Sequence, residues 1–246
     1  MRVIVTESYE ELGKVASQHV LGHVLTKQNR VNLAITAGTT PLEVYRYLVP
    51  EVKGKSHFSH VHFYNFDEIP YKHQQCEGIT MSDLRELFFE PAAIQESQIH
   101  PLNDQNYEKQ DERIQQEGGL DAVLLGIGVD GHYCGNLPGT TTINDGTTKV
   151  NCDSLMKKRI SPHFQNEEEI PEFYVTMGPK SIMAAGQLIL IANGQKKAAI
   201  MRQFIEGEIS LDLPATILKL HPNLTVIIDR EAASELSEEY RALNYL

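Results

Sequence analysis

Cysteine is scarce in this chain of 246 residues: three, at positions 76, 134 and 152. No two of them stand at a metal-ligand spacing. An odd, scattered set does not make a disulfide framework either, so a reduced compartment, the cytoplasm, is expected. Positive charge is scarce too. Lys and Arg number 22 against 33 Asp and Glu, a formal net charge of −11. Nucleic-acid binders gather basic residues on one face, and the single basic run is Lys157-Lys158-Arg159, so no DNA or RNA partner is expected. No apolar run approaches the ~20 residues a membrane-spanning helix needs. The opening MRVIVTESYEEL reads as a short strand and a polar turn, not a signal peptide. Internal repeats, low-complexity tracts and Pro/Gly/Ser-rich linkers are missing, which leaves one domain over 1–246 as the expected organisation.

Hydrophobic residues make up 41% and charged residues 22%, an ordinary globular composition, and the length is enough to bury a full core. Short β-branched runs alternate with longer amphipathic stretches. RVIV (2–5), VNLAIT (31–36), VHFYNF (61–66), DAVLLGIG (121–128), FYVTMG (173–178), QLILIAN (187–193) and LTVIID (224–229) read as strands. Leu12, Val15, Ala16, Val20 and Val24 recur with a helical period after the first strand. Pro41 opens a second helix, PLEVYRYLV. Further helical patterns fall at about 180–186, 196–206 and from about 231 to the end. Strand–helix alternation predicts an α/β fold, a mostly parallel sheet with helices on both faces. The run at 121–128 has little polar alternation and is predicted to be buried on both sides. The stretch 142–172 has no clear period and is expected to be an insertion or lid.

Open parallel sheets bind ligands at the carboxyl ends of their strands. Four stretches of chemical interest fall there. ITAGTTP (35–41) supplies a turn glycine, Gly38, two hydroxyls, Thr39 and Thr40, and a helix start whose free N–H groups suit a phosphate; a capped turn is its plain structural alternative. YNFDEIP (64–70) puts Asp67 and Glu68 directly after a strand, where a carboxylate can move a proton. GVDGH (128–132) sets His132 beside Asp130, a general acid/base with a carboxylate to orient it, and Gly131 between them permits the backbone angle that lets the two converge. Cys134 next to it reads as structural. NGQKKAAIM (193–201) opens a helix with Lys196 and Lys197, either of which could meet an anion.

Taken together, AGTTP, NFDEIP, GIGVDGH with NLP, VTMGPKSIM and GQKKA resemble the glucosamine-6-phosphate deaminase/isomerase family, in a superfamily that includes the 6-phosphogluconolactonases. The resemblance covers most of the chain and is weakest across 142–172. It implies a three-layer, Rossmann-like α/β fold and a small sugar phosphate as partner, with no metal or cofactor required. Assembly into a homo-oligomer is compatible with it. It implies that Gly38, Thr39, Thr40 and Lys197 hold the phosphate, that Asp67 shuttles the proton, and that His132 opens the ring with Asp130 as its partner. Glu68 and Asn136 are expected among the substrate-binding residues. An arginine from the lid is also implied on the phosphate, and Arg159 is the one arginine in that region.

Two positions depart from the pattern. The deaminases carry a glutamate before the proline that follows the histidine, and here Leu137 stands there. His132 would then keep one carboxylate partner instead of two, and its pKa should fall. The lactonases tend to be apolar at that place but follow the Asp-Glu pair with an arginine, and here Ile69 follows. An isomerase or deaminase of (amino)sugar phosphates is the expected activity. A sugar-phosphate lactone hydrolase is one alternative. A sugar-phosphate sensor without turnover is another, disfavoured because the chain starts at its first strand with no room for a DNA-binding domain and retains both Asp67 and His132.

Overall fold

A computed structural model describes residues 1–26, 29–72 and 76–242. The chain order is β1 (Arg2–Thr6), α1 (Tyr9–Thr26), β2 (Val31–Ala34), α2 (Leu42–Val52), β3 (Val61–Tyr64), β4 (Asp67–Glu68), α3 (Ile79–Leu84), β5 (Ile99–His100), α4 (Gln110–Gln116) and β6 (Ala122–Gly126). There follow β7 (Thr148–Asn151), α5 (Ser154–Ile160), β8 (Phe173–Thr176), α6 (Pro179–Met183), β9 (Leu188–Ala192), α7 (Ala198–Glu206), β10 (Leu224–Asp229) and α8 (Glu238–Ala242).

Seven of these strands form one parallel sheet in the order β1-β10-β9-β6-β2-β3-β5. The central strands β6 and β9 carry no polar side chain because both faces are covered. Val123, Leu125, Leu188, Leu190, Val226 and Ile228 enter one core with Phe204 and Met201 of α7. Their neighbours Ala122, Leu124, Ile189, Ile191 and Ile227 enter the other, with Leu12 and Ala16 of α1 and Val44 and Leu48 of α2. Successive side chains of a strand point to opposite faces, so two cores with one sheet between them make three layers. The expected α/β class and the double burial of 121–128 are both found.

Two expectations change, and the stretch 142–172 gains defined elements. The strand at 173–178 does not join the large sheet. As β8 it pairs antiparallel with β4 on one side and β7 on the other, so that Asp67, Thr176 and Thr148 stand in one row across a small second sheet. The stretch 142–172 is built as β7 and α5, with Asp153 capping α5 by accepting from Met156 N at 2.7 Å. The pattern from 231 gives turns through 235 and then α8, with residues beyond 242 outside the described ones. Its apolar residues, Ala232, Ala233 and Leu236, are nonetheless core. Among the described residues no helix is long and apolar enough to cross a membrane.

A third apolar cluster lies apart from the sheet. It joins Val150 of β7, Cys152 just after it, Met156 and Ile160 of α5, Ile170, and Tyr174 of β8. Asp111 fastens the start of β7 to the body: its carboxylate accepts from Thr147 N (2.8 Å), Thr147 Oγ1 (2.5 Å) and Ser181 Oγ (2.7 Å).

Candidate active site

The four stretches singled out in the sequence leave the ends of β2, β3, β6 and β9. In the sheet these are consecutive neighbours, in the order β9-β6-β2-β3. One short edge therefore gathers all four loops.

The loop after β2 turns at Gly38, whose φ of +90° is open to glycine and strained for other residues. The loop is held by its carbonyl oxygens. Tyr9 Oη lies 2.8 Å from Thr39 O and 3.0 Å from Thr40 O, and Tyr45 Oη donates to Thr36 O at 2.5 Å. Gly38 and Thr39 are exposed and Thr40 partly so, immediately before the N-terminus of α2. An anion there would meet the positive end of an eleven-residue helix.

Asp67 and Glu68 form β4 and point to opposite sides of it. Glu68 is 2% exposed. Its carboxylate accepts from Ile69 N (2.9 Å), Thr80 N (2.8 Å) and Met81 N (3.1 Å), and so caps α3, whose own cap position, Gly78, has no side chain. Burial pushes its pKa up to about 8, against the pull of those three donors. Asp67 keeps part of its surface open to solvent while protein packs densely around the carboxylate. Thr80 Oγ1 donates to it at 3.3 Å. Burial raises the Asp67 pKa to about 6, while the Thr80 hydrogen bond and the nearby His132 imidazole act the other way. A carboxylate poised there can both take and return a proton near neutrality. The Cys134 thiol lies in the same neighbourhood. Burial first, and then the Asp67 charge, raises its pKa well above the ordinary value. Its backbone is left-handed at φ +49°.

After β6 the chain folds back so that Gly128 N donates to His132 O at 2.8 Å. Gly131 has the positive φ expected of it, +81°. His132 Nδ1 lies 2.5 Å from Asp130 Oδ1. The other oxygen of Asp130 accepts from Arg159 at 2.6 Å, across from α5. The hydrogen bond from His132, and then that from Arg159, hold the Asp130 carboxyl well below the usual carboxylate range. Sequence alone gave no sign of this Asp130–Arg159 ion pair, because its partners come from separate elements. Lys197, half-buried after β9, donates to Ile127 O at the foot of the same loop. Burial lowers its pKa, and the charge of Asp130 works against that.

Two residues expected at the substrate have internal partners instead. Glu68 is committed to backbone amides as above. Asn136 is fully buried: its Nδ2 donates to Met177 O (2.9 Å) and Tyr133 O (3.3 Å), and its Oδ1 accepts from Thr141 Oγ1 (2.8 Å). Leu137, next to it, packs against the third apolar cluster. Among the described residues no group of three or more His, Cys, Asp or Glu side chains is arranged to hold a metal ion.

The fold is a doubly covered parallel α/β sheet, with the candidate site at the strands' carboxyl ends. The family described as glucosamine-6-phosphate isomerases/6-phosphogluconolactonase matches residues 8–227, and the chain belongs to it. The glucosamine-6-phosphate deaminase of Thermoanaerobacter pseudethanolicus is 35% identical over 252 residues, covering 97% of this chain and 96% of that one. The deaminase of Oceanobacillus iheyensis is 31% identical over 244 residues, covering 96% and 97%. Among solved structures, a monomeric glucosamine-6-phosphate deaminase superposes with a TM-score of 0.83 at 28% identity, covering 96% of this chain and all of that one. The 6-phosphogluconolactonase of Trypanosoma cruzi gives 0.73 at 19% identity over 96% and 97%, a likeness of fold alone.

Proposed function

We propose that the protein is an aldose–ketose isomerase/deaminase of amino-sugar phosphates, converting a hexosamine 6-phosphate to a ketose 6-phosphate with release of ammonia. The observation that carries this reading is the pairing of Asp67, raised to about pH 6, with a His132 whose Nδ1 is fixed by Asp130. Curated relatives of nearly equal length named as glucosamine-6-phosphate deaminases support it.

The phosphate lies on the loop at Gly38, Thr39 and Thr40, with Lys197 adding positive charge. With Nδ1 engaged, Nε2 is the nitrogen of His132 that meets the sugar. It moves a proton between the ring oxygen and the anomeric hydroxyl, and the ring opens. Asp67 then takes the proton from C2 and returns it to C1 on the same face. Where C2 bears an amine, the resulting imine is hydrolysed: water adds, the C–N bond breaks, and ammonia leaves. Glu68 and Asn136 act by holding the loops that carry Asp67 and His132. The segment 142–172 covers the site and brings Arg159, and the whole chain 1–246 forms one domain.

The test is a substrate panel with the purified protein. Ammonia and ketose phosphate from glucosamine or galactosamine 6-phosphate, lost in Asp67→Asn, are expected. Hydrolysis of 6-phosphogluconolactone without ammonia from any hexosamine phosphate would replace this reading with a lactonase. Saturable binding without turnover would replace it with a sensor.

A further inference from the structure

Leu137 is where the sequence departs from the deaminase pattern and Ile69 where it departs from the lactonase pattern, and the structure brings both to one place. Each packs against the apolar cluster formed by β7, α5, Ile170 and β8. Every other member of that cluster, Phe164 included, lies between Val150 and Tyr174. Ile69 and Leu137 are its two contributions from elsewhere in the chain, one directly after the strand that carries Asp67 and one from the loop that carries His132.

The backbones of both residues are fixed. Ile69 N donates to Glu68 Oε1 (2.9 Å), and Ile69 O accepts from Ile79 N (3.0 Å). Leu137 O closes a turn by accepting from Thr140 N (3.1 Å) and Thr140 Oγ1 (2.8 Å). Tyr174, a cluster member, ties the same loop by donating to Gly135 O at 2.8 Å. Tyr71, two residues past Ile69, meets Phe164 edge-on with ring centroids 5.7 Å apart. Arg159 precedes the cluster residue Ile160 on α5 and reaches Asp130 at 2.6 Å.

We propose that Ile69 and Leu137 are positioning residues: together they form an apolar socket that seats the 148–170 segment and thereby holds Arg159 against Asp130, the partner of His132. They act through the segment and touch none of the reacting groups. A carboxylate at 137 would enter the cluster, where an unpaired charge is costly, and would unseat α5. The consequence for the reaction rests on the function proposed above; the seating itself does not.

The test is hydrogen exchange on the full chain, with kinetics beside it. In Leu137→Glu, and separately in Ile69→Glu, amides of 154–160 should exchange at least about tenfold faster while β9 and β10 keep their protection. Leu137→Met should restore the wild-type pattern. If either glutamate variant also loosens β9 and β10, Leu137→Ala, which removes only volume, carries the same test. With a hexosamine phosphate that turns over, Leu137→Glu should raise KM about tenfold, leave the acid limb of the pH profile in place, and show a non-additive cycle with Arg159→Ala. Unchanged exchange at 154–160 in folded variants would overturn the proposal. So would a moved pH limb without faster exchange, because position 137 would then act on His132 directly. Absence of turnover in the wild type would remove the function proposed above and leave the exchange result standing.

Discussion

The imidazole of His132 occupies the space in which a side chain on Gly128 would begin. A Cβ built on Gly128 would fall 2.0 Å from His132 Nδ1 and 2.6 Å from Asp130 Oδ1. The glycine thus lets the Asp130–His132 pair lie down against the end of β6. Gly128→Ala should push the imidazole out of line and lower kcat about a hundredfold, the scale of a misplacement near 1 Å. Far-ultraviolet circular dichroism should show the fold kept.

As the base of the proposed reaction Asp67 would act only when ionised, and burial raises its pKa to about 6. The kcat/KM profile should therefore fall as pH drops through about 6, tenfold per unit well below it. A limb near 4 instead would place the essential base elsewhere.

Asp130 orients His132 and receives Arg159. Asp130→Asn keeps the shape and removes the charge that both partners meet. We expect kcat to fall by about two to three orders of magnitude. Its pKa is depressed in the folded protein, so its contribution to stability is present above the unfolded value and lost as pH falls below it. The Tm drop on acidification below about pH 4 should be smaller in the variant than in the parent.

For Lys197 the expected effect is on binding. Lys197→Met should raise KM for a sugar phosphate about ten- to a hundredfold, the worth of a charged hydrogen bond, with a smaller change in kcat. Inhibition by inorganic phosphate should weaken in parallel.

Glu68 has the opposite linkage to Asp130. Its folded pKa, about 8, lies above the unfolded value of 4.5, so the native state holds the proton more tightly. Stability from this group is present below the unfolded pKa and declines as pH rises through about 8. Glu68→Gln should flatten the dependence of Tm on pH between 5 and 8, whatever the variant's absolute Tm. An unchanged slope would mean the carboxylate is already ionised across that range.

The large sheet and the loops at its edge were legible in the sequence for a physical reason. Strands buried on both faces, such as 122–126 and 188–192, write their burial as unbroken apolar runs. Loops at strand ends keep their chemistry local, so Asp130 and His132 could be paired by spacing alone. The small sheet was not legible. β4 has two residues, and its ladder partner β8 comes more than a hundred positions later. The ion pair of Arg159 with Asp130 and the internal bonds of Glu68 and Asn136 were hidden likewise, since a polar side chain looks the same in sequence whether it faces a ligand or a backbone amide. Leu137 was read against its neighbour His132, but it packs against the apolar cluster of β7, α5 and β8, which no local pattern announces.

The row Asp67–Thr176–Thr148 divides the edge between two frames. The loop at Gly38–Thr40 springs from the large sheet, whereas the Asp67 carboxylate rides on the small one. The chain passes from one to the other through Asn65, whose Nδ2 donates to Asp67 O (2.9 Å) and to Leu102 O just after β5 (3.1 Å). The two sheets behave as the two jaws of a caliper. On the proposed function, the span between the Gly38–Thr40 loop and the carboxylate is set by how one sheet is placed upon the other, and a sugar phosphate one carbon shorter or longer would present the wrong carbon to the jaw that carries Asp67.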